Sequence, residues 1–163
     1  MPAKSKVIFC MLALTLLSTP AFPIGKTGNN TLYDTRDRLS VNVPADYPSI
    51  TEYRDGSVIL RSIQILPGYF DAASFQIFSF RDRYQKLVSS SLEEVKIFFT
   101  QANGMSYQVL SESSNKLVLV GQNNSTVVGI VVAPGGRGLV LVGQSYEIIK
   151  QGILDTMNGT VFQ

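Results

Sequence analysis

Three apolar, β-branched segments follow one another closely, and they constrain the fold more than any other feature of the chain. Lys116–Gly121 reads Lys-Leu-Val-Leu-Val-Gly, Thr126–Val132 reads Thr-Val-Val-Gly-Ile-Val-Val, and Leu139–Gln144 reads Leu-Val-Leu-Val-Gly-Gln. Asn123-Asn124 and Pro134-Gly135-Gly136-Arg137-Gly138 separate them. Connections this short join antiparallel neighbours, because a parallel pair needs a crossover of a dozen or more residues. Apolar side chains at most positions predict a sheet covered on both faces. Tyr146–Met157 then places Ile149, Ile153 and Met157 on one helical stripe, with Asn158-Gly159 as its cap. Thr160–Phe162 is read as a final edge strand.

The chain of 163 residues holds about one domain. Its first 21 residues read as a signal peptide: Lys4 and Lys6, an apolar run from Val7 to Leu17, then small residues up to Ala21. The run is shorter than the roughly 20 residues a membrane span needs. Cleavage after Ala21 removes Cys10, the one cysteine, and leaves a chain without any. Such a secreted domain depends on its core alone, which suits a bacterial periplasm or exterior better than a disulfide-rich animal space. Losing Lys4 and Lys6 also leaves twelve basic against twelve acidic residues. The balance offers no electrostatic case for nucleic acid, and the membrane is met only through the transient signal peptide.

Residues 22–38, with Gly25, Gly28, Asn29 and Asn30, are expected as a flexible lead-in, and 39–163 as one α+β domain. Leu39–Val43 alternates with period two, turning Leu39, Val41 and Val43 inward until Pro44. A short strand over Ile50–Tyr53, the turn Arg54-Asp55-Gly56-Ser57 and a strand over Val58–Leu66 follow. Ala73–Phe80 alternates through Phe75 and Ile77, with a break expected near Phe78. Ser90 with Glu93, or Ser91 with Glu94, forms a capping box for a helix carrying Leu92, Val95, Phe98, Phe99 and Ala102 on one stripe. The expected architecture is an antiparallel β-sheet with a central helix and a C-terminal helix packed on it.

That order, opening on Leu39-Ser40-Val41-Asn42-Val43-Pro44 and closing on a helix and short strand over Ile153–Phe162, resembles the PsbP-like fold. Photosystem extrinsic proteins and the bacterial periplasmic DcrB lipoproteins share that fold. The resemblance covers about residues 39–162 and is one of pattern, so it carries over no functional residue. The lipid-acceptor cysteine of the DcrB type is missing here.

Without histidine anywhere, and without cysteine after cleavage, Ser-His-Asp and Cys-His catalysis, most zinc and copper sites and histidine-ligated haem are excluded. Asp34, Asp37, Asp46, Glu52 and Asp55 lack the spacing of a calcium loop, and Asp34-Thr35-Arg36-Asp37-Arg38 reads as a solvated face. The glycine-rich turn at 133–138 lacks the Lys-Ser/Thr of a phosphate loop. Four Asn-x-Ser/Thr triplets, beginning at Asn29, Asn123, Asn124 and Asn158, carry no meaning in a bacterium. The function expected is non-catalytic binding or assembly in the cell envelope, with a protein partner and no cofactor or metal. Two alternatives stand beside it. One is a small-molecule binder with a cavity lined by Phe75, Phe98 and Phe99. The other is a small hydrolase using carboxylates, or Ser89, Ser90 or Ser91 with Lys86 or Lys96. Binding residues are expected at Arg81, Arg83 and Tyr84, and at Tyr47, Tyr53 and Arg54, where arginine and tyrosine cluster. The intact mass of exported protein tests the leader: it should begin at Phe22, and a mass retaining residues 1–21 would rule cleavage out.

Overall fold

The computed structural model describes residues 24–27, 31–34, 37–53, 56–80, 91–102 and 106–163. Within them the chain is mostly antiparallel β-sheet, with two helices. One sheet has the order β1-β2-β3-β11, built from Ile24–Thr27, Thr31–Asp34, Leu39–Asn42 and Thr160–Phe162. The other has the order β4-β5-β6-β10-β9-β8-β7. Its strands are β4 (Ser49–Glu52), β5 (Val58–Ile65), β6 (Ala72–Ser79), β7 (Tyr107–Glu112), β8 (Lys116–Gly121), β9 (Thr126–Ala133) and β10 (Arg137–Gln144). Helix α1 (Leu92–Ile97) opens into a wider π-helical turn over Phe98–Ala102, and α2 (Glu147–Asn158) precedes β11.

Two hairpins of the large sheet are closed by the turn chemistry their sequences supply. Asn124 takes φ +53° between β8 and β9, and Gly135 and Gly136 take φ +78° and +70° between β9 and β10. Within the large sheet, among the described residues, β6 and β10 are the strands that pair across a long stretch of chain, from Leu139 beside Ser79 to Gly143 beside Phe75. This pairing fuses the β4–β6 meander to the β7–β10 meander.

Alternate residues of the central strands enter two separate cores, one on each face of the large sheet. Ala73, Phe75, Ile77, Val127, Val131, Leu139 and Leu141 share a cluster with Ile149, Ile153 and Met157 of α2. Phe80, Leu117, Leu119, Val128, Ile130 and Val140 share the other with Val95 and Phe99. Gly129 permits close approach of α2: a Cβ there would stand 2.6 Å from both Ile153 Cγ2 and Met157 Sδ. Ser91 caps α1, its Oγ accepting from Glu94 N at 3.3 Å while Ser91 N donates to Glu94 Oε2 at 2.6 Å.

Several expectations need correction. Ile24–Thr27 and Thr31–Asp34, placed in a flexible lead-in, form strands that pair with each other and, through β2, with β3. Thr31 and Leu32 are buried. Polar composition concealed them, because strands in a small sheet need few apolar positions. The break expected near Phe78 does not occur: pairing with β10 runs unbroken from Phe75 to Ser79. Phe78 is buried as Phe75 and Ile77 are, since both faces are covered there and alternation no longer marks one inner face. The aromatic stripe of the first helix is buried unequally. Phe99 is 2 % exposed, whereas Phe98 is half-buried and meets Phe99 edge-on at 5.3 Å. Phe99→Ala should therefore cost about 3–5 kcal/mol in denaturant unfolding. Phe98→Ala should cost clearly less, and equal losses would contradict this packing.

Candidate functional site

The β5–β6 hairpin combines a hydrogen-bonded turn with exposed apolar side chains. Leu66-Pro67-Gly68-Tyr69 makes its turn. Proline presets φ at the second position, Gly68 takes φ +79° at the third, and Tyr69 N donates to Leu66 O at 3.0 Å. Leu66 N donates to Asp71 O at 3.0 Å and closes the loop. On this frame Phe70 is fully exposed, and Ile63, Ile65 and Tyr69 are mostly so. Tyr69 also stands edge-on to Tyr146 at 5.8 Å between ring centres. A hydrogen bond with Tyr69, followed by desolvation, raises the Tyr146 hydroxyl above its ordinary pKa.

Beside the hairpin lies an open cleft of about 830 Å³. It sits on the face of the large sheet that carries α1, beyond that helix. Register fixes the side: Leu60 and Phe75 pair and enter the core under α2, so their neighbours Arg61 and Ser74, also paired, point the opposite way. Val142, which lines the cleft, packs against the α1-side core. Polar lining comes from Arg61, Asp71, Ser74, Gln76, Thr126 and Gln144. Gln76 is held in place by Nε2 donating to Ser57 Oγ at 2.7 Å. Among the described residues, neither Arg61 nor Asp71 forms an ion pair.

The residues singled out from the sequence fare differently. Tyr47 is not a surface binding residue: it is 2 % exposed, and its ring packs edge-on against Phe75 at 4.9 Å. Gly152 makes room for that ring, since a Cβ there would approach Tyr47 to 2.6 Å. The Tyr47 hydroxyl donates to Ile148 O at 3.0 Å, tying the loop before β4 to the first turn of α2. Burial pushes this hydroxyl up to about 12, helped by the nearby carboxylates of Asp46 and Asp155. Tyr53 is exposed just after β4. Arg54, Arg81, Arg83 and Tyr84 lie outside the described residues, as do Lys86, Ser89 and Ser90.

Phe75, Phe98 and Phe99 do not line one cavity. Phe75 belongs to the core under α2, Phe98 and Phe99 to the core under α1, and the sheet separates them. Nor is Lys96 set up as a base beside Ser91. Its Nζ pairs with Glu93 at 2.7 Å and Glu112 at 3.2 Å, and hydrogen bonds to these two raise its pKa. A lysine base needs the reverse shift. Asp37, drawn from the acidic set, is buried and accepts from Ser79 Oγ at 3.2 Å. Among the described residues no group of three acidic side chains could hold a metal ion.

The hairpin tip and the cleft were missed from sequence alone, although Pro67-Gly68-Tyr69-Phe70 carried the signal: an aromatic pair on a tight turn. No protein-family model matches the chain, and no curated protein matches it either.

Tyr47 yields a two-part prediction. Tyr47→Phe keeps the ring and loses one neutral hydrogen bond, so stability at pH 7 should fall by about 1 kcal/mol. In the wild type, the unfolded tyrosine ionises near its ordinary value of 10.0 while the folded one holds its proton to about 12. The native state then binds more protons than the unfolded state, so the Tyr47 contribution, complete below pH 10, is lost as pH rises through that window. Denaturant unfolding against pH should show a shallower alkaline decline in Tyr47→Phe; parallel curves would contradict it.

Proposed function

We propose that this chain is a secreted, non-catalytic binding protein of the bacterial cell envelope, engaging a protein partner through the tip of the β5–β6 hairpin. Its domain is read as an α+β unit in which the central helix and the C-terminal helix back a sheet that presents this tip. The observation that carries the proposal is Phe70, fully exposed on a hydrogen-bonded turn and flanked by exposed Ile63, Ile65 and Tyr69. Single exposed apolar residues are ordinary on protein surfaces, but several gathered on one hairpin mark an interaction surface. Aromatic anchors held on a preorganised turn lose little conformational entropy on binding.

The envelope setting is supported by the charge, apolar and small-residue order of residues 1–21 and by the resemblance to periplasmic PsbP-like proteins. Against the hydrolase alternative stand the absence of histidine from the sequence and the engagement of Lys96 by two carboxylates.

A photo-crosslinking side chain placed at Phe70 tests the proposal in intact cells, with the same group at exposed Ser113 as control. A discrete adduct from position 70 and none from position 113 is expected. Adducts of equal yield from both positions, or none from either, would sink the reading.

A further inference from the structure

We propose that the cleft beside the hairpin binds a neutral oligosaccharide laid across strands β5, β6, β10 and β9. This goes beyond the hairpin's protein partner and rests mainly on other residues, Tyr69 alone being shared. Register assembles a polar row across the sheet. Arg61 pairs with Ser74. Gln144 follows Gly143, the partner of Phe75, and so comes beside Ser74. Gln144 itself pairs with Thr126. One guanidinium, one carboxamide and two hydroxyls thus line up over three strand spacings, roughly 14 Å at about 4.8 Å each. The next row on the same face, Ile59, Gln76 and Val142, is largely apolar. Tyr69, half exposed and steadied by Tyr146, stands among the lining residues.

Charge decides the ligand class. The cleft offers one guanidinium and one carboxylate, Arg61 and Asp71, neither ion-paired among the described residues. A ligand of a single sign would gain from one and be repelled by the other. A neutral polyol satisfies both, since each hydroxyl donates to a carboxylate or accepts from a guanidinium. A pyranose chain also has apolar C–H faces suited to the Tyr69 ring and the Ile59 and Val142 row. Its length follows the polar row, whereas a single amino acid would cover only a part of it. The cleft is shallow and mixed in lining, unlike the mostly apolar pockets that enclose small hydrophobic ligands.

Amide-resolved NMR titration of the mature protein with cellotetraose, chitotetraose and maltotetraose tests this, with tetraalanine as a zwitterionic peptide control. At least one oligosaccharide should shift the amides of Arg61, Ser74 and Gln144 and their neighbours, with tetraalanine leaving them in place. Arg61→Ala and Gln144→Ala should each weaken binding, the former about tenfold, the equivalent of one charge-assisted hydrogen bond. Unchanged dispersion of the remaining amides will show that the variants are folded. The proposal is overturned if none of the three sugars moves these amides, if tetraalanine moves them as far, or if both variants bind like wild type. Crosslinking from position 70 is read separately, so either proposal can fail while the other stands.

Discussion

The pairing of β6 with β10 is the contact on which the rest of the structure depends. β6 ends at Ser79 and β10 begins at Arg137, so a long loop must close before this ladder forms. Nothing local compensates that entropy. What offsets it is burial on both faces at once: Phe75 and Leu141 enter one core, Phe80 and Val140 the other. Burying one such side chain contributes roughly 1.5–3 kcal/mol, so the few residues along this ladder outweigh the closure cost. Without the ladder, β4–β6 and β7–β10 are separate meanders, and α2, which meets β6 as well as β9 and β10, loses part of the surface it covers.

The face that carries the cleft follows from the same geometry. Helix α2 approaches its face closely because Gly129 and Gly143 lack the side chains that would meet Ile153, Met157 and Ile149. The other face carries α1 and its π-helical turn over β8–β10, where Leu117, Leu119, Val128 and Ile130 are buried. Farther along that face the residues turn polar, as Arg61, Ser74, Gln144 and Thr126 replace the valines and leucines. Composition thus changes along a strand at the place where, among the described residues, helical cover stops. Leu66, Tyr69 and Asp71 of the hairpin line the cleft, so the hydrogen-bonded tip and the polar cleft are neighbours.

Much of the sheet was legible because its signal is local. Leu39, Val41 and Val43 alternate and are all buried, and the strands over 116–144 are joined by the expected turns. The capping box at Ser91 and Glu94 was one of two candidates, and the structure selects it. Long-range features were not legible. Tyr47 sits beside prolines in a loop and looks like a surface hot spot, yet its partner Ile148 lies 101 residues further along the chain. The polar row of the cleft exists only once the register of four strands is known. Phe75 and Phe99 are both aromatic core residues, and nothing in their spacing says that a sheet divides them.

Native-state hydrogen exchange, followed amide by amide, tests the central place of the β6–β10 ladder most directly. The account predicts that amides of β6, β9 and β10 exchange last and together, through global unfolding, while those of the edge strand β7 exchange earlier. Amides of β10 exchanging as early as those of β7, with β6 still protected, would show that the β4–β6 meander is stable without the ladder and would contradict it.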